Sequence, residues 1–344
     1  MLRFRFIFPI LLGAFACTGR AGAQTEGALS PDSRRAERYD SAYVGVCHNF
    51  ITLKPIIVLK STQVTLEEKG KRVDYSPNPR LHAGVEVAYR RLVLAVTFGV
   101  PGTEKSEARY GNTEYLDFKL QLLTRRVGVE GALYHYKGHY LSNPAQVLAS
   151  WRKSDAMPLR PDLQHTSLFA NAYYVFNHRK YSLRGALLQL EEQRRTAHTF
   201  LLLAGFQYLV VKADSSLVPE DAKPEFQQIN PLKTVRLMSF ALAPGYAGAF
   251  VWGRVNFAPM VFIGPALQRG TVTTETEKHH ESPQLGLKFN VRASLYYRGP
   301  RWFTGFSFYY DLVNYRVPNA TVKASLFNGR FFFGYHFDKP VKRK

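Results

Sequence analysis

The chain lacks most of what would mark an enzyme or a helical membrane protein. It has two cysteines, Cys17 and Cys47. Cys17 falls in an expected leader, so Cys47 alone would remain and no intrachain disulfide can form. Beyond residue 23 no apolar run approaches the eighteen or so residues that a helical span requires, and the longest, such as Leu92 to Val100, are strand-sized. There is no Gly-rich phosphate loop, Cys-based metal site or dinucleotide fingerprint, so no cofactor is expected. No Pro/Ser/Gly tract divides the chain, which reads as one domain. Acids are scarce as well: 26 Asp and Glu face 46 Lys and Arg, for a formal charge of +20.

What is present begins with a secretory signal. Arg3 and Arg5 precede the apolar stretch Phe6 to Ala16, and Ala21-Gly22-Ala23 offers an A-x-A site, so cleavage before Gln24 is expected. Lipidation at Cys17 is the weaker alternative, because Ala14-Phe15-Ala16 matches a lipobox only loosely. Cleavage removes Arg3, Arg5 and Arg20 and no acid, taking the charge from +20 to +17. An export signal argues against nucleic acid as the partner of this charge. A basic rim on lipopolysaccharide phosphates and a cationic lumen both remain open.

The recurring pattern is period-two alternation over about ten residues, expected where one strand face meets lipid and the other a polar lumen. In Leu285 to Arg298, Leu285, Leu287, Phe289, Val291, Ala293, Leu295 and Tyr297 share one face, with Lys288, Asn290 and Arg292 on the other. Leu116 to Leu122, Ala83 to Tyr89 and Trp302 to Tyr310 alternate likewise. Phe331, Phe333, Tyr335 and Phe337 end the last such segment in an aromatic signature of the kind barrel-assembly machinery reads, followed by a basic tail, Asp338 to Lys344. Short joins (near 90–91, 124–126, 251–253 and 299–300) alternate with longer polar ones (61–80, 100–114, 137–164, 213–234, 267–284 and 315–325). The pattern predicts an all-β fold: a transmembrane antiparallel β-barrel of about 12 strands, or 14 if a strand hides within 213–234. In the twelve-strand case residues 178–198 are an excursion outside the barrel wall. The domain plan is a signal peptide over 1–23, a periplasmic lead-in over 24–48, the barrel over 49–337 and a periplasmic tail over 338–344. Pro55, Pro244 and Pro259 fall inside strands, and each should mark a bulge or strand end.

Candidate site residues come from the polar faces. The densest polar stretch holds Arg184, Gln189, Glu191, Gln193, Arg194 and Arg195, either a constriction in the lumen or a solvated turn with paired charges. Glu86, Lys119, Lys288, Arg292 and Arg330 are expected to face the lumen. His198-Thr199 invites comparison with barrel hydrolases, but no third group to orient the His can be placed. Glu277 to Glu281 holds two adjacent His residues, which point to opposite faces if extended. Tyr134 to Tyr140 reads most simply as an aromatic girdle.

Several fragments then stand in a telling order: Tyr39-Asp40-Ser41, Tyr75-Ser76-Pro77-Asn78, Tyr136-Lys137-Gly138-His139-Tyr140, Arg160-Pro161-Asp162 and Tyr173-Tyr174-Val175-Phe176-Asn177. After them come Ser182-Leu183-Arg184, Gln189, Glu191, Gln193 and Thr196-Ala197-His198-Thr199-Phe200. In these the chain resembles, over about 37–337, a family of bacterial outer-membrane β-barrels known as the domain of unknown function numbered 4421. Where the family has Ser-Ala-Gly-Ser, this chain has Thr196-Ala197-His198-Thr199, so a catalytic His198 would not be a family property. The resemblance implies fold and location and brings no activity.

The expected function is therefore a non-enzymatic outer-membrane pore, or small-solute channel, with a basic lumen, in a Gram-negative envelope. The alternatives are a structural or assembly barrel contacting lipopolysaccharide or a periplasmic partner, and an envelope lipid-modifying enzyme. Expected partners are outer-membrane lipids, lipopolysaccharide and the assembly machinery, with no nucleic acid; the sequence does not name an oligomeric state.

Overall fold

A computed structural model describes residues 40–45, 50–78, 81–89, 92–100, 104–227, 229–274, 277–317 and 320–338. The expected signal peptide, Cys17, most of the lead-in and tail residues 339–344 lie outside the described residues. Among the described residues no helix is long and apolar enough to cross a membrane.

Among the described residues twelve strands pair antiparallel with a neighbour on each side. In chain order they are β2 (Phe50–Glu68), β4 (Leu81–Tyr89), β5 (Leu92–Gly99), β6 (Glu114–Leu123), β7 (Val127–Leu141), β8 (Leu159–Val175), β10 (Ala197–Lys212), β11 (Thr234–Trp252), β12 (Val255–Thr273), β14 (Gln284–Arg298), β15 (Trp302–Val317) and β16 (Ala320–Asp338). Each pairs with the next, and β16 pairs with β2, so the pairings run in a cycle. Short elements complete the chain: β1 (Val44–Gly45), β3 (Lys71–Ser76), β9 (Glu192–Gln193), β13 (Lys278–His280), and helices α1 (Glu104–Tyr110), α2 (Pro144–Val147) and α3 (Leu183–Leu188). The described residues of 213–233 contain a 3-10 helix, Glu220–Glu225, and no strand.

Alternation sets the two faces. On β14, Lys288, Asn290, Arg292, Ser294 and Tyr296 are buried, while Leu285, Leu287, Leu295 and Tyr297 are exposed. Leu116, Phe118, Leu120 and Leu122 on β6, and Phe331, Phe333 and Phe337 on β16, are exposed too. In water such a surface would carry a heavy hydrophobic cost; it is a surface made for lipid.

Three expectations change. The joins expected as long polar loops at 61–80, 267–284 and 315–325 are mostly strand, because β2, β12, β15 and β16 continue their ladders past the apolar belt. β3 folds back on β2 and reaches β7 through Tyr75↔Leu141, closing over the ends of the shorter β4, β5 and β6. The prolines mark neither bulges nor ends. The β2–β16 ladder skips Pro55 between Ile56↔Phe332 and Leu53↔Tyr335, and the β11–β12 ladder skips Pro244 and Pro259, with register unchanged across each gap. Lacking an N–H, each proline leaves one ladder while pairing normally on its other side, as Pro55 does with Val85 and Pro259 with Ala293. A register shift does occur between Lys137 and His139, where Gly138 has φ +88° and a Cβ would meet the Asn112 carbonyl oxygen at 2.3 Å. Third, Tyr134 and Tyr136 are buried on the inward face of β7, so this segment is interior packing and not a girdle.

Candidate functional site

The inside of the ring is filled in layers. At the end where strands are joined by short turns, residues 176–196 leave the wall after β8 and fold inward. Ser182 caps α3 by accepting from the Gly185 N–H at 2.9 Å, and Gln189 closes the helix in the left-handed region at φ 59°. Side chains of the wall hold the helix by its backbone: Ser294 Oγ donates to the Ala186 carbonyl at 2.7 Å, and Lys54 Nζ to that of Leu188 at 3.4 Å. Arg298 donates to the Glu191 carbonyl at 2.9 Å. Room for the insertion comes from inward alanines, Ala243, Ala247, Ala249 and Ala258, which pack in one cluster with Leu183, Ala186 and Leu188.

The polar stretch divides. Glu191, buried at 1% exposure, accepts from Arg184 at 2.8 Å and from Ser182 Oγ at 2.5 Å. Gln193 accepts from the Ser182 N–H and donates to the carbonyls of Lys180, Arg195 and Tyr43, tying β9 to β1. Gln189 accepts from Lys54 at 3.3 Å. Arg194 and Arg195 are exposed instead, contrary to the single cluster expected: Arg194 pairs with Glu192 and donates to the Ser41 carbonyl, and Arg195 lies over the Tyr43 ring. Alternation turns Arg194 out where Glu191 and Gln193 turn in, and it breaks at Arg195, which is exposed as well. Burial raises the Tyr181 pKa, and burial together with Arg126 lowers that of His178, whose Nε2 accepts from Arg126.

The next layer is charged. Glu130 on β7 accepts two hydrogen bonds from Arg292 on β14, at 2.5 and 3.0 Å, and others from Tyr173, Asn171 and Gln121. Lys119 stands 3.6 Å from the same carboxylate. Glu86 pairs with Lys54 and with Arg330 at 2.7 Å. Lys288 pairs with Asp311 at 2.6 Å, and Lys60 with Asp117. The five residues expected to face the lumen are thus inward and each joined to a group of opposite charge, so the interior is not a plainly basic passage. An unpaired charge at such depth would cost several kcal/mol, roughly, which is why acids accompany the bases. Glu130, Asp311, Asp117 and Lys54 were not singled out from sequence, although alternation puts each on the inward face.

The far end is apolar. Leu217, Val218, Ala222, Phe226, Ile229 and Leu232 of the 213–233 segment pack against inward residues of the wall, among them Val64, Leu66, Val211, Val235 and Val313. Tyr75 donates to the Leu217 carbonyl at 2.7 Å and Arg160 to that of Ser216 at 2.9 Å, fixing the segment in place.

The remaining candidates separate. His198 is exposed and stacks on Tyr246 at 5.9 Å, whereas Thr199 is buried and donates to the Phe200 carbonyl, so the two do not form a nucleophile pair. His279 meets Glu277 and His280 meets Thr271, and no group of metal-ligating residues gathers among the described residues.

A family model described as Domain of unknown function (DUF4421) matches residues 38–337. No curated protein matches the chain. Among solved structures, the outer membrane protease OmpT from Escherichia coli is similar at 9% identity and TM-score 0.39, covering 84% of this chain and 97% of its own. The COG4313 outer membrane channel from Pseudomonas putida F1 is similar at 13% and 0.33, covering 85% and 97%. The P. putida toluene transporter TodX is similar at 8% and 0.28, covering 85% and 91%. Likeness of this degree carries no activity to the chain.

Proposed function

The chain belongs to the DUF4421 family, and from that premise we propose that it is an outer-membrane β-barrel serving as a non-enzymatic, gated channel for a small solute, closed in this structure at both ends. Its location is the outer membrane of a Gram-negative envelope. The exposed apolar face supports this, as do the aromatic residues Trp252, Trp302 and Phe200 near the short-turn end. By the rule of short periplasmic turns, α3 and its neighbours lie at the periplasmic mouth and the 213–233 segment at the outer mouth. A cleaved signal over 1–23, the periplasmic lead-in and the basic tail belong to the same proposal.

The observation that carries the channel reading is how α3 is held. Its barrier is a short insertion held to the wall by hydrogen bonds to backbone carbonyls and by packing on small inward residues, above a polar, charged layer, and an insertion so attached can leave without breaking a ladder of the wall. The apolar packing of the outer mouth favours a second reading, a structural barrel that never opens. Conductance in planar bilayers separates them. The channel reading expects a nearly silent wild type and clear conductance from Lys54→Met/Ser294→Ala, which loosens α3. Silence from that variant, once heat-modified mobility shows it folded, would leave the structural barrel.

A further inference from the structure

The charged layer has a surplus. Lys54, Lys119, Arg292 and Arg330 share only two carboxylates, Glu86 and Glu130. The neighbouring pairs Lys60–Asp117 and Lys288–Asp311 are one to one and lend nothing. Two positive charges are therefore uncompensated among the described residues, in side chains of which Lys119 is the most accessible at 25%. Cations removed from water in this way require a counter-charge.

The structure also provides a place for one. Between α3 and the charged layer lies a cavity of about 60 Å³, lined by Lys119, Arg292 and Arg330 but by neither of their carboxylates. Arg330 spends one hydrogen bond, from NH1 to Glu86, and Lys119 makes one ion pair, at 3.6 Å, while lying over the Tyr309 ring at 5.7 Å. Both thus face the cavity with donors to spare. Tyr309, whose hydroxyl is buried and without a partner, lines it too, as do Ser307 and Asn328. The volume is several times the roughly 10–15 Å³ a single water needs. Converging guanidinium, ammonium and hydroxyl donors, with no carboxylate in the lining, match an anion with several acceptor oxygens.

We infer that this chamber is a binding site for one small tetrahedral oxyanion of the phosphate or sulfate class, held by Lys119, Arg330 and Tyr309 beneath α3. The inference deepens the channel reading by naming its solute class, but it rests on charge in the closed state and is tested without conductance. Calorimetry on the folded, detergent-solubilised full chain, freed of oxyanions in a chloride buffer, should give saturable binding of inorganic phosphate or sulfate near one per chain. Lys119→Met and Arg330→Gln should each weaken it by about tenfold or more, as expected for losing a charge-assisted hydrogen bond in a closed site. Tyr309→Phe keeps the ring packing, so it tests the hydroxyl even if a charge variant fails to fold; it too should weaken binding. No saturable binding to wild type, or binding unchanged in Tyr309→Phe and in every charge variant that folds, would overturn the inference. Binding in a protein that never conducts would remove the channel and leave the site.

Discussion

Arg292 and Glu130 meet through both terminal guanidinium nitrogens, at 2.5 and 3.0 Å, although β14 and β7 stand on different sides of the ring, separated by β8, β10, β11 and β12 along the shorter path. The pair is a tie across the interior, independent of the ladders that build the wall. Tyr309 stacks its ring against Arg292 at 4.6 Å and Asn290 accepts from Arg292 Nε at 3.0 Å, so the guanidinium is held on every side.

Removing one partner is expected to cost far more than removing both. Glu130→Leu leaves Arg292 buried and uncompensated, and Arg292→Met leaves Glu130 with Lys119 alone; each should cost about 3–5 kcal/mol, whereas Glu130→Leu/Arg292→Met should recover much of that loss. Unfolding midpoints in urea for the two single variants and the double measure the coupling. Equal, additive losses would mean that the contact is incidental.

Much of this was legible in the sequence, and what was not has a physical reason. Period two depends only on which face meets lipid, so Leu287 and Lys288 declared their sides directly. The insertion of α3 was hidden because a short helix inside a ring leaves no apolar period of its own: Leu183, Ala186 and Leu188 read equally as a strand. Its imprint lay elsewhere, in the small inward residues Ala243, Ala247, Ala249 and Ala258, which cluster against Leu183, Ala186 and Leu188. The pairing of Glu130 with Arg292 lies 162 residues apart in sequence and depends on how the sheet curls, which alternation does not encode.

Lipid-facing positions should reject charge according to depth. Leu120→Arg and Leu287→Arg are expected to impair insertion into liposomes, at roughly 2–4 kcal/mol for a cation near the midplane. Leu285→Arg, at the outer end of β14 away from the short turns, should be milder. Asn290 is no tolerant control, because it is fully buried and bonded to Asp311 and Arg292. Similar insertion by all three arginine variants would mean that the exposed face does not meet lipid.

The last strand sets a limit on trimming. Asp338 still pairs with Phe50, so deletion should begin at Lys339. Removing 339–344 is expected to leave assembly in cells unchanged, whereas Phe337→Ala, which strips the final exposed ring beside Tyr335 at 4.7 Å, should reduce the amount in the outer membrane. Loss on trimming the tail alone would place the assembly signal beyond Phe337.

The polar stretch allows an internal comparison, since one acid there is buried and its neighbour is not. Glu191 is at 1% exposure and holds both Arg184 and the Ser182 hydroxyl that caps α3. Glu192, the next residue, pairs with Arg194 while each side chain keeps 42–50% of its surface in solvent. Coulomb attraction is similar at these distances, and solvation decides the difference: an enclosed partner left alone costs about 3–5 kcal/mol, an exposed pair contributes about 0–1 kcal/mol. Glu191→Ala should therefore lower the unfolding midpoint clearly, and Glu192→Ala should barely move it. Because Glu191 also orients the cap, its loss should free α3 before the wall melts, seen as faster amide exchange over residues 183–189 with the β14 and β7 ladders still protected. An unaltered midpoint and unaltered exchange in Glu191→Ala would show that Ser182 and the carbonyl contacts of Lys54 and Ser294 hold the insertion without it.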